Sequence, residues 1–486
     1  MCVPLRILAT ILFLAGPSVR AGEPPRAVSD WGPFFYRGTN VHGHAVERAV
    51  GPFWERKTDT EDRTLAAVRP FYSKSLDPGA QPERWLKEYV WPLGSLRGHG
   101  NTRSGWFLTV IYMRDDVTKP DSRRRLWVLP FYFGGRTRDG KDYAAIFPIG
   151  GTIREFLTRD EIRFILFPFW SRSSINEVRT LSILWPFYSH TTGEGLYQRR
   201  VWPFWGVARK DGQYSKRFIL WPFWNQAEYF FKGAKGKAWI LFPIYGKADL
   251  EDQSTRWYIP PFFKVAEGNG NRRISGPWPF FQKSEGDIDK FYLFPLYGWK
   301  RIEDKVNERV VHRSFVLWPL GWRIGVTSPQ VKQDSFQVLP FFYKNDRAFT
   351  DPADRGKDEH NRSFWPLFSS ERVGDASRLR IPDLWPGKNP GGIERNWAPL
   401  WTFYQRETQG DARQTEFLWG MYRNVDDGRG YHHWNVFPLL ESTRESAGGD
   451  GGWRFLKGLV GWSKKQGEKK LKLLYLFELP VGKSPP

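Results

Sequence analysis

The chain has 486 residues, with 73 Lys and Arg against 52 Asp and Glu, a formal charge of +21, and 17% of its residues are aromatic. Its single cysteine, Cys2, excludes a disulfide framework and a cysteine-ligated zinc. The positive charge favours anionic partners: lipopolysaccharide, acidic polysaccharide or anionic lipid.

The first residues, "MCVPLRILATILFLAGPSVRAG", carry one early basic residue, Arg6, and an apolar run from Ile7 to Gly16. That run has signal-peptide length and is too short to span a bilayer. Val19 and Ala21 place small residues where a signal peptidase requires them. Residues 1–21 are therefore expected to be an export signal and residues 22–486 one tandem-repeat β domain, with the mature chain starting at Gly22. Export makes nucleic acid an unexpected partner. No later run approaches the roughly 18 apolar residues of a transmembrane helix, so any membrane-spanning form would have to be a barrel.

From Trp31 onward one motif recurs: "ILFPFW", "ILWPFY", "RVWPFW", "ILWPFW", "ILFPIY", "YLFPLY". Its proline falls at Pro33, Pro52, Pro70, Pro92, Pro130, Pro148, Pro168, Pro186, Pro203, Pro222, Pro243, Pro260, Pro279, Pro295, Pro319, Pro340, Pro366 and Pro438. "GWFLTVIYM" fills a double gap without proline, and "DLWPGK", "APLWTFY", "EFLWGMY", "WRFLKGLVGW" and "LLYLFELP" read as degenerate copies. The period is about 19 residues, which gives roughly two dozen units.

Turn residues lie midway between prolines: Asp139-Gly140, Gly193-Glu194-Gly195, Asp211-Gly212, Asn269-Gly270 and Gly286-Asp287. These residues tolerate the positive φ of a tight hairpin turn. Aromatic and β-branched residues crowd the motif, and no 3.6-residue pattern appears. The expected fold is all-β, a long antiparallel meander.

Around Pro186 both faces of the presumed strand are apolar: Leu181, Ile183, Trp185 and Phe187 on one, Leu184, Pro186 and Tyr188 on the other. Proline cannot donate to a central ladder. Three architectures meet these constraints. One is a large outer-membrane barrel, each unit giving one strand of about 9–11 residues. Another is such a barrel bent inward at the proline band, or filled by its aromatics. The third is a soluble propeller- or solenoid-like assembly in which each unit is a hairpin and proline marks the corner. The barrel leads and the soluble assembly is the alternative. Through its φ-[WF]-P-[FLI]-[FWY] repeat the chain resembles uncharacterised bacterial exported proteins with tandem aromatic-Pro-aromatic units. It bears a weaker overall resemblance to outer-membrane β-barrel proteins. Neither resemblance implies an activity.

Motifs of catalysis are lacking: there is no HExxH, GxSxG, GxxxxGK[ST] or GxGxxG. His42 and His44 share a strand face near Glu47, but two histidines fall short of a catalytic zinc. His432 and His433 point to opposite faces. "GGDGGW", Gly448 to Trp453, reads as a loop. Asp115-Asp116 and Asp426-Asp427 adjoin turn residues, and neighbouring strand residues diverge. Trp185, Trp202, Trp205, Trp221 and Trp224 could stack on sugars, or could be core or membrane-interface residues. No catalytic, cofactor-binding or metal residue is expected, and no cofactor. The expected function is that of a non-enzymatic outer-membrane barrel, structural or handling anionic or small solutes. The alternative is a periplasmic or secreted module that binds polysaccharide or another envelope component.

Overall fold

The computed structural model describes residues 19–445 and 449–481. Cys2, the apolar segment Ile7–Gly16 and Gly448 lie outside them. Forty-six antiparallel strands follow one another in chain order as one meander sheet, and among the described residues the sheet is not closed into a barrel.

Each repeat unit is a hairpin, so the units contribute two short strands apiece in place of one long one. The segment behind "RFILWPFW" shows why. Strand β20 (Trp205–Lys210) pairs with β21 (Tyr214–Ile219) across a turn with Asp211 and Gly212 at its centre. The Gln213 N–H donates to the Lys210 carbonyl at 3.0 Å, and Gly212 takes a φ of +65°. At the other end β21 gives way to Leu220-Trp221-Pro222-Phe223, and β22 (Trp224–Tyr229) begins directly after it. The Phe223 N–H donates to the Leu220 carbonyl at 2.7 Å, with Pro222 third in the turn after a cis bond. This is the type VI arrangement. The motif proline thus marks a corner, where no ladder N–H is due.

The apolar stretch around Pro186 has the same explanation. Ile183 ends β17 (Val178–Ile183), residues 184–187 form the turn, and Tyr188 opens β18 (Tyr188–Gly193). What reads as one strand with two apolar faces is a turn flanked by two strand ends. In "YIPPFF" the third turn position belongs to Pro261, not Pro260, since Phe262 closes the turn onto Ile259. Two degenerate copies keep the turn with glycine in place of proline: Met421 closes onto Leu418 across Trp419-Gly420, and Leu456-Lys457-Gly458 occupies the same position. "DLWPGK" lies outside the strands, and Ala398–Trp401 of "APLWTFY" is helical.

The chain divides into two compact units, one made of the described residues up to Gly100 together with those from Pro340 on, the other of Asn101–Leu339. In the second unit one face of the sheet carries small residues in register. Ser182, Ser189, Ala248, Ala266 and Ser284 on it are buried. At β11 (Arg124–Val128) to β15 (Arg159–Ile165) this face holds an apolar cluster of Trp127, Phe133, Ala145, Ile153 and Phe164.

In the first unit β1 (Arg26–Asp30) rests against β40 (Tyr422–Asp426) and β41 (His432–Val436). A short helix α1 (Gly391–Asn396), followed by α2 (Ala398–Trp401), lies against β5 (Thr64–Val68) and β6 (Tyr72–Asp77). The sequence pattern had shown neither helix.

Glycines inside strands make room for rings on neighbouring strands. Gly206 stands opposite Phe218, and a Cβ at Gly206 would enter the space of that ring. Gly206→Val is expected to cost about 1–3 kcal/mol through overpacking, seen as a lower urea midpoint with the β spectrum retained.

Candidate functional site

The motif turns line one edge of the sheet with apolar side chains. In the second unit the residue after the motif proline, from Phe131 and Phe187 through Phe204, Phe223 and Ile244 to Leu320, is 47–65% exposed. On the face opposite the small residues, the row next to this edge reads Val201, Trp205, Ile219, Trp224, Leu241, Tyr245, Tyr258 and Phe263 in direct cross-strand register. One pleat further from the edge the row becomes Arg199, Val207, Arg217, Gln226, Trp239, Lys247, Arg256 and Val265. This face therefore grades from apolar, through aromatic, to cationic over about 10 Å, at roughly 3.3 Å per residue.

The small-residue face of the same unit has a different chemistry. A cleft of about 630 Å³ lies over it, lined by Gln198, Arg200, Lys216, Phe218, Trp221, Tyr229 and Trp257 among others, with no acidic residue in the lining. Lys216 Nζ stands 4.5 Å from the centre of the Tyr214 ring and 5.1 Å from that of Tyr229.

The interior of the first unit is polar and laced with ion pairs. Asp30 forms an ion pair with Arg423 at 2.7 Å and faces His433 Nε2 at 3.2 Å, and Lys457 donates to its carbonyl oxygen at 2.5 Å. Arg423 lies over the Tyr36 ring at 3.8 Å and reaches Glu416 at 3.2 Å. Arg48 joins Glu416 at 2.7 Å, and Arg69 joins Glu55 at 2.6 Å. Through α1, Arg395 binds Glu88 at 2.7 and 2.8 Å, and Glu394 accepts both terminal nitrogens of Arg380.

Burial alone would raise the Asp30 carboxyl, but Arg423, His433 and Lys457 hold it well below the ordinary range. Glu55 is buried too, yet Arg69 and Arg48 bring it down to about 2. Glu394 is held at about 2 against its own burial by Arg380 and Arg378. Each of these carboxylates has a cation in reach, and the Asp30–Arg423, Arg48–Glu416 and Glu88–Arg395 pairs tie N-terminal strands to C-terminal ones. Sequence reasoning had missed this network, because the three pairs that close it lie more than 300 positions apart.

The residues singled out from sequence fall elsewhere. His42 Nδ1 lies 3.1 Å from the Gln409 amide oxygen, and Glu47 pairs with Arg37 at 2.9 Å. Burial, Lys57 and His42 push His44 down to about 4. Among the described residues no group of three potential ligands could hold a metal ion. His433 is buried against Asp30, and its neighbour His432 is on the other face. Asp116 caps Thr118, Asp426 caps Gly428, and Asp427 accepts from Arg429 and Tyr431. Trp185, Trp205 and Trp221 are exposed at the motif edge, whereas Trp224 stacks on Trp239 at 5.8 Å. Trp202 meets Trp221 at 6.0 Å.

No family model matches the chain, and comparison with curated proteins finds no match.

Arg423→Met should strand buried Asp30 and cost about 3–5 kcal/mol, read by denaturant unfolding. Glu55 and Glu394 titrate lower in the folded chain than their ordinary 4.5, so their contribution is complete above that value and is lost as pH falls toward about 2. A urea midpoint that falls steeply over this acid range is the expected result.

Proposed function

We propose that the protein is a non-enzymatic component of the cell envelope whose motif edge lies in the surface of a lipid membrane. The carrying observation is the row of exposed apolar turn residues, backed beyond the adjoining aromatic row by Arg199, Arg217, Lys247 and Arg256. An apolar row buried about 5–10 Å, with cations at headgroup depth, is the distribution that binds an anionic bilayer surface.

Strand length supports surface attachment over spanning. The strands have four to eight residues, whereas a membrane-spanning strand needs about 9–11. The export signal expected at residues 1–21 supplies the compartment, and the reading keeps the outer membrane as the partner. Among the described residues no helix is long and apolar enough to cross a membrane.

Purified protein should float with anionic phosphatidylglycerol vesicles and much less with neutral ones. The triple variant Phe204→Asp, Phe223→Asp, Ile244→Asp should lower that binding by roughly a hundredfold while remaining folded. In cell fractions the protein should pellet with membrane and be released by carbonate. Retention after carbonate, with heat-modifiable migration on gels, would favour a spanning barrel. Recovery in the soluble periplasm, with no vesicle binding, would favour the soluble module.

A further inference from the structure

We propose that the small-residue face of the second unit binds an acidic polysaccharide laid across the strands. Its carboxylates would meet a ladder of cations, and its sugar rings the aromatic side chains alongside. This inference does not depend on the membrane reading.

The ladder is set by register. Arg273 of β27 (Asn271–Ser275) stands opposite Ser284 of β28 (Phe281–Glu285), and Ser284 stands opposite Lys290 of β29 (Ile288–Leu293). Lys290 is opposite Lys300 of β30 (Tyr297–Asp304), which is opposite Arg313 of β31 (Arg309–Val316). Three cations in immediate succession on one face repel one another, an arrangement that costs a sheet stability.

Acids could have relieved the repulsion, but they are on the other side. From β19 (Leu196–Val201) to β31, Glu228, Asp249, Glu267, Glu285, Asp289 and Glu303 all occupy the opposite face. Asp304, at the far end of β30, is the exception, and it is engaged with the turn at Val306 and Asn307. The opposite face is accordingly paired: Lys237 with Glu228 at 3.3 Å, Lys283 with Glu285 at 2.6 Å, Arg301 with Glu303 at 3.5 Å.

Among the described residues Arg273, Lys290, Lys300 and Arg313 make no ion pair. Lys290 donates to Gln282 at 2.7 Å and stands 5.1 Å from the Tyr292 ring centre. Its ammonium is pulled below the ordinary lysine value by burial first, then by Lys300 and Arg273. Cations crowded on one face with no acid beside them present a field that an anion laid on that face would neutralise.

The choice of polysaccharide rests on three features. The cations repeat with the strand spacing of about 4.8 Å, close to the length of one sugar residue. Gln282, on the same face one pleat from the row, supplies an amide that suits ring hydroxyls. Beside the ladder, Tyr292 and Phe315 meet edge to face at 5.3 Å and offer an apolar ring surface.

The test uses residues 22–486, with polygalacturonate as probe, neutral dextran as control and a single-stranded oligonucleotide of matched charge as competitor. Polygalacturonate should bind at low salt, weaken steeply as salt rises, and outcompete the oligonucleotide. The triple variant Lys290→Gln, Lys300→Gln, Arg313→Gln should lower affinity roughly tenfold or more. Its urea midpoint should be unchanged or raised, because like charges have been removed. The same change on the paired face, Lys237→Gln, Lys283→Gln, Arg301→Gln, should leave affinity unaltered. Absence of polygalacturonate binding, tighter binding of the oligonucleotide, equal losses from the two triples, or a destabilised ladder triple would each overturn the proposal.

Discussion

The structure depends on reversing the chain every few residues without leaving backbone groups unpaired. A strand of six residues has two ends close at hand, and each must be a turn. Here the two kinds of turn differ chemically. One, as at Asp211-Gly212, uses residues that accept positive φ, and it is polar. The other, as at Leu220–Phe223, puts a proline where no ladder N–H is needed, and it is apolar. Because the strands are antiparallel and consecutive, all turns of one kind fall on one edge. Turn chemistry thereby gives the sheet a polarity across its width, one edge apolar and the other polar.

Much of this was legible in the chain. The all-β meander, the repeat and the polar turns at Asp139-Gly140, Glu194-Gly195 and Asn269-Gly270 follow from local composition, and local composition decides hairpins. The motif was harder to read, because Ile183, Leu184, Trp185, Phe187 and Tyr188 are as apolar in a turn as in a strand. Hydrophobic patterning cannot separate a strand from a turn built of equally apolar residues. The helix at Gly391–Asn396 escaped notice because six residues are too few to show a period. The pairing of Asp30 with Arg423, or Glu88 with Arg395, depends on contacts more than 300 positions apart, which one sequence does not reveal. The cationic ladder was present in the sequence once register is known. The parity of each acid along its strand decides its face, and register is what hairpin turns fix.

The two units manage charge by opposite rules. In the first, each buried cation has an acid in reach, as Arg48 has Glu416 and Arg69 has Glu55. In the second, from β19 to β31, acids and cations are mixed on one face while the other carries cations almost alone. Alternation along a strand makes such separation simple, since moving an acid by one position moves it across the sheet. The first rule produces a closed interior. The second leaves an unsatisfied field on a surface.

A buried ion-pair network is a weak source of net stability, because desolvation consumes most of the Coulombic gain. Its presence in the first unit answers a different difficulty. Repeats of nearly the same sequence can pair with the wrong neighbour, and apolar contacts between similar units would barely notice the error. Charges notice it. If β1 met a strand other than β40 or β41, Asp30 would lose Arg423 and His433, and each would be buried alone. A few non-repeating charged residues thus supply the discrimination that the repeated apolar motif lacks. They sit where the N-terminal and C-terminal strands must find each other, the longest-range contact in the unit and the one most open to error.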